Sequence, residues 1–187
     1  MELVRHAESE CQAWFDANYM VQTVAQENKN VEPQVISLGN ICLLDGSWTP
    51  SARFSGCGWT WMDSRGSIQL MGTKNIIRRE SALHSEVEAL RWAMENMLQH
   101  STCQTFGIDC KELIEMIKEP HALPSFATEL ERIETLLVCF PDFNIIHVPR
   151  ARNQISDFLA KTARSFHREL HFIGCSIPVW LPRPPQV

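Results

Sequence analysis

The chain has 187 residues, 44% of them hydrophobic and 21% charged, with eight glycines and ten prolines. That composition suits about one globular domain with flanking chain, and it excludes collagen-like, coiled-coil and disordered classes. The net charge of −5 sits mostly in the first 33 residues, so the body is near neutral and lacks the basic excess of a dedicated nucleic-acid-binding domain.

No apolar run approaches the roughly 18–20 residues that cross a bilayer, and the first ten residues lack an apolar signal core. An intracellular protein, in nucleus or cytoplasm and without a membrane partner, is the expectation. Seven cysteines without a Cys-x-x-Cys pair fit reduced thiols used as small apolar groups, and their spacing does not suit zinc.

Residues 6–20 read as a short amphipathic helix and 26–33 as a polar linker, making 1–35 an N-terminal segment ahead of a domain over 36–170. Ile41–Asp45 is an apolar run stopped by Gly46-Ser47 and predicts a buried strand. Phe54–Met62 predicts a second. Asp63-Ser-Arg-Gly66 is a turn signal, and Ile68, Leu70 and Gly72 alternate along a third, completing an antiparallel meander. Leu83, Val87, Leu90, Met94 and Met97 then recur at helical spacing over 83–98.

Thr105–Asp109 predicts a brief strand, followed by a short helix through Leu113, Ile114 and Ile117. Phe126, Leu130, Ile133, Leu137 and Phe140 mark another helix. Phe143–Val148 is a strand closed by Pro149, and Asn153 suits the N-cap of a last helix through Phe166. Residues 171–187, rich in proline, read as an extended tail. The order predicts an α/β fold in which a five-stranded mixed sheet, a meander plus two parallel strands, is covered by about four helices.

Four acids sit at positions that bear on chemistry. Asp45 and Asp109 end strands, where ligands collect in α/β sheets. At about 100° per residue, Glu86 lies roughly 40° from Leu90, inside the apolar stripe, whereas Glu88 falls on the wet side with Arg91 and Glu95. Asp157 occupies the first turn of the last helix, which suits a negative charge. Taken singly, each reads as readily as a cap, turn or snorkelling residue. Gathered without a basic partner, they favour a hard divalent cation, Mg²⁺ or Mn²⁺, over zinc. An arginine or lysine filling the same hollow would remove that reading.

Leu-Leu-Asp45-Gly-Ser-Trp, His-Ser-Glu86-Val-Glu-Ala-Leu, Gly-Ile-Asp109-Cys and Asn153-Gln-Ile-Ser-Asp157-Phe-Leu-Ala resemble, in order, the four motifs of the type 1 ribonuclease H domain. More narrowly they are similar to its plant, non-LTR-retroelement branch, over about residues 38–168. The resemblance implies a ribonuclease H-like fold and an Asp45, Glu86, Asp109 and Asp157 set that holds two Mg²⁺ ions. It also implies an endonuclease cutting the RNA strand of an RNA–DNA hybrid to leave 3′-hydroxyl and 5′-phosphate ends. Gly46, Ser47, Arg150, Arg152 and Asn153 are the expected nucleic-acid contacts, and a monomer is expected. Further basic residues line the motifs: Lys161, Arg164 and Arg168 on and after the last helix, and Lys74, Arg78 and Arg79 before the Glu86 helix.

Two departures accompany the match. The family's loop histidine is missing from the short Val148–Asn153 stretch, and Ser81-Ala-Leu-His84 stands where the family carries Thr-Asn-type residues. A domesticated retroelement domain that binds nucleic acid or a partner without catalysis is therefore the competing reading. An exonuclease on the same fold would need a second acid at position 47, which is Ser.

Overall fold

The computed structural model describes residues 39–120 and 124–183. The helix expected over 6–20 and the linker after it lie outside the described residues. Strands β1 (Ile41–Ser47), β2 (Phe54–Met62) and β3 (Ile68–Ile77) form the meander, followed by helix α1 (Ala82–His100) and strand β4 (Thr105–Ile108). Helices α2 (Lys111–Lys118) and α3 (Ala127–Leu137), strand β5 (Asn144–His147), helix α4 (Gln154–Ser165) and strand β6 (His171–Gly174) complete the domain.

The sheet order is β5-β4-β1-β2-β3-β6. Antiparallel pairing joins β1, β2 and β3, and parallel pairing joins β1 to β4 and β4 to β5. This is the mixed α/β architecture expected, with one correction to its strand count. A sixth strand, inside the stretch read as tail, pairs antiparallel with β3 at Met71–Lys74. Four residues of unremarkable pattern cannot announce a strand; the free edge of β3 supplies their hydrogen bonds.

The turn at Asp63 forms as its composition demands. Its carboxylate accepts the Arg65 and Ser67 amides at 2.9 and 3.0 Å, and Gly66 takes a φ of 79°, the left-handed conformation that suits glycine. The main core lies between the sheet and helices α1–α3. Leu44, Trp59, Val87, Leu90, Met94, Phe106, Leu113 and Ile133 are buried there, along with Cys42, Cys57 and Cys103. These thiols pack as small apolar groups, as their spacing suggested.

Helix α4 covers the opposite face at very close range. A Cβ on Gly56 would meet the Ala160 carbonyl at 1.9 Å, and one on Gly58 would meet the Ser156 carbonyl at 2.4 Å. Only glycine at both positions lets the helix lie flat on β2. Gly46 does the same for α1, since a Cβ there would stand 2.5 Å from the Glu86 amide nitrogen. The absence of side chains therefore brings Asp45 and Glu86, one residue away on each element, to a common point.

Candidate metal centre

Asp45, Glu86 and Asp109 each place a carboxylate oxygen within 4.8 Å of the others. Asp45 is brought there by β1, Glu86 by the first turns of α1, and Asp109 by the residue following β4. The register explains the convergence: β1 and β4 run parallel side by side, so their carboxyl ends open at the same edge. The Gly46 amide donates to a Glu86 oxygen at 2.9 Å and fixes that side chain over the strand end.

The electrostatics of this group are unfavourable without a cation. Burial, reinforced by the neighbouring carboxylates of Asp109 and Asp157, pushes the Asp45 carboxyl up to about 8. Burial and then the Asp45 charge push Glu86 well above the ordinary range, against the lowering effect of the Gly46 hydrogen bond. Like charges gathered out of water must protonate or be neutralised by an ion. Hard oxygen donors of this kind fit Mg²⁺ or Mn²⁺, and the three residues could hold a divalent ion.

Asp157 stands beside this group but in a different state. Arg150 donates to one of its oxygens at 2.7 Å and Lys161, one helical turn on, to the other at 2.7 Å. Partial burial raises its pKa, yet the bonds from Arg150 and then Lys161 outweigh that and hold it below the usual value. The Arg150 Nε also lies 3.8 Å from Asp109. Three of the four expected acids thus form a compact group, and the fourth is held by two cations at its rim.

The remaining expected residues divide. Gly46 contributes its amide, and the exposed Arg150 reaches the centre from a short 3₁₀ turn, Arg150–Arg152, whereas Arg152 lines a depression with Leu43, Thr60 and Met62. Ser47 is buried in β1. Asn153 is also buried and does not cap α4 with its side chain; its amide donates instead to the Leu44 carbonyl at 2.7 Å. It ties the start of α4 to the strand that carries Asp45. Lys74 lies over the Trp92 ring, 4.7 Å from its centroid, and Arg79 ends on Glu129 at 2.6 Å.

Glu88 overturns the reading of the helical wheel. It is buried, with Arg91 at 2.8 Å and Arg79 at 3.9 Å. The wheel places apolar faces correctly, but it does not foresee an arginine arriving from the end of β3 to cover a charged one. Ser81, in the family's polar position, caps α1, and its hydroxyl lies 2.8 Å from His84 Nδ1. The His84 ring stacks on Phe126 at 4.2 Å.

This fold, with acids at the ends of adjacent parallel strands and at the starts of two helices, is the ribonuclease H-like fold. A family model described as "Reverse transcriptase-like" matches residues 43–163, more than half of the chain, and the chain belongs to that family. Among solved structures it is similar to ribonuclease H1 from the halophilic archaeon Halobacterium salinarum, at 25% identity and a TM-score of 0.60, over 66% of this chain and 96% of that one. A ribonuclease H1 from a compost metagenome, solved with an RNA/DNA hybrid, is 18% identical with a TM-score of 0.60, over 66% and 95%. The foamy viral protease-reverse transcriptase, also solved with an RNA/DNA hybrid, is 17% identical with a TM-score of 0.58, over 75% of this chain and 22% of that one. No curated protein matches by sequence.

Proposed function

We propose that the domain is a divalent-metal-dependent endonuclease that hydrolyses the RNA strand of an RNA–DNA hybrid. The observation that carries this reading is the group of three carboxylates at the sheet edge, whose burial and mutual repulsion outweigh the exposed Arg150 standing 3.8 Å from Asp109. Asp45, Glu86 and Asp109 would hold one Mg²⁺ or Mn²⁺, and Asp45 with Asp157 a second. Bound there, the ions would supply a lowered pKa for a coordinated water and charge stabilisation for the phosphate.

The chain's own groups set the stage for that chemistry. The Gly46 amide orients Glu86, and Asn153 anchors the start of α4, the helix that carries Asp157, to β1. The exposed Arg150 guanidinium offers the planar donors that suit a phosphate, and transfer of this group from Asp157 to substrate would free the carboxylate. The relatives solved with RNA/DNA hybrids support hybrid as the substrate class.

A second reading is favoured by one observation. The Arg150 and Lys161 bonds neutralise Asp157 within the protein, which suits a domain that binds nucleic acid without cutting it. A labelled hybrid incubated with the full chain and Mg²⁺ or Mn²⁺ separates the two. Cleavage of the RNA strand, reduced at least ~100-fold by Asp109→Asn, is expected, on the scale of losing a transition-state charge contact. Hybrid retained but uncut under either metal would establish the second reading instead.

A further inference from the structure

The basic side chains differ in what they touch. Arg65, Arg79, Arg91, Arg150 and Lys161 all end on carboxylates. Arg53, Arg78 and Arg168 are exposed and, among the described residues, take part in no ion pair. In a chain with more acids than bases, three arginines kept clear of acids in one place form a distinct positive surface.

Backbone contacts place them together. The Arg78 amide donates to the Arg53 carbonyl at 3.2 Å, beside the paired residues Phe54 and Ile77. The Asn75 side chain, three residues before Arg78, donates to the Arg168 carbonyl at 2.8 Å and accepts the Leu170 amide at 2.8 Å. At about 3.3 Å per strand residue the three backbones therefore span roughly 10 Å. An open depression of about 450 Å³ is lined by their chain neighbours Phe54, Ile77 and Glu169 together with Lys74, Asn75 and Leu170, and Glu169 is the one acid of that lining.

The guanidinium groups are also supported. Arg53 lies 5.0 Å from the Phe54 ring centroid, Arg168 lies 6.0 Å from that of Phe166, and Arg78 donates to the Pro50 carbonyl. Stacking on a ring orients a guanidinium while leaving its N–H edge open, the arrangement that suits a phosphate oxygen.

Their place relative to the metal centre gives the surface a meaning. Asp45 pairs with Gly58 and Gly58 with Thr73, whereas Arg53 and Arg78 stand five residues further along, so this surface lies at the same end of the sheet as Asp45 and roughly 15–20 Å from it. That distance equals about five base-pair steps of a duplex.

We propose that Arg53, Arg78 and Arg168 form a phosphate-binding extension of the substrate track, gripping the duplex backbone about five base pairs from the point of cleavage. The proposal rests on the nuclease reading for its orientation, but its test does not require turnover. Binding of a fluorescent RNA–DNA hybrid to the full chain in EDTA, across salt concentrations, gives the slope of log K against log[salt]. Combined Arg53→Ala, Arg78→Ala and Arg168→Ala substitutions are expected to weaken binding about tenfold or more and to reduce the slope by about 2 to 3. Lysine at the same three positions should restore most of the slope, and Lys118→Ala with Arg132→Ala should leave it unchanged.

An unchanged affinity and slope in the triple alanine variant overturns the proposal, even where the wild-type chain cuts hybrid. Loss of the slope in a chain that never cuts hybrid upholds the surface and defeats the nuclease reading alone.

Discussion

Helix α1 carries two carboxylates, two residues apart, that are treated in opposite ways. Glu88 is buried against Arg79 and Arg91, and its charge is matched by cations on both sides. Glu86 meets Asp45 and Asp109, so its charge is opposed by more of the same sign. Pairing of the first kind holds a structure together; gathering of the second kind weakens it and makes sense where an external cation completes the site. The contrast locates function on one side of the helix and architecture on the other.

Removing Glu88 should break the architectural side. Glu88→Ala leaves Arg79 and Arg91 partly buried without their shared acceptor, a change expected to cost about 2–3 kcal/mol after allowing for the arginines' exposure. Thermal unfolding would report this as a fall of several degrees, while metal affinity of the folded protein should be unchanged. A loss of metal affinity without loss of stability would erase the distinction between the two acids.

The functional side should respond to pH with the opposite sign to a paired acid. The Asp45 carboxyl rises to about 8 in the folded chain from 3.8 unfolded. Between those values the folded state binds more protons, so metal-free stability falls as pH rises from about 4 to about 8. Asp45→Asn should flatten that decline and raise stability at pH 8 by on the order of 1–2 kcal/mol, read as a higher melting temperature. A metal-free protein whose stability climbs over this window would show that the acids are compensated internally.

Asp157 gives the smallest effect, because it is the acid already paired. Its pKa is lowered in the fold, so the stability it contributes is present above its unfolded value and lost as pH falls through the folded one. Arg150→Ala should remove part of that acid-side loss, within roughly 0.5 kcal/mol given the exposure of the arginine. A larger shift would place Arg150 among the architectural cations with Arg79 and Arg91.

Much of this was legible in the residues. Five strands and four helices follow from periodicity and punctuation, because half-buried strands and amphipathic helices repeat every 2 and 3.6 residues. Gly46-Ser47 marked the end of the apolar run that carries Asp45, and the group packed against Gly46 is the backbone of Ser85 and Glu86. Strand β6 was not legible, since its existence depends on the free edge of β3 rather than on its own pattern. The burial of Glu88 and the turn of Asn153 toward Leu44 were hidden for the same reason. Each depends on a partner supplied by a distant segment, and local sequence carries no record of it.

The most direct test is the binding of Mn²⁺ to the full chain at pH 7–8, followed by the loss of free-ion signal in electron paramagnetic resonance. Saturable binding that disappears in Asp45→Asn and in Asp109→Asn, yet persists in Glu88→Gln, is the result predicted. Equal binding by all four proteins would contradict the account.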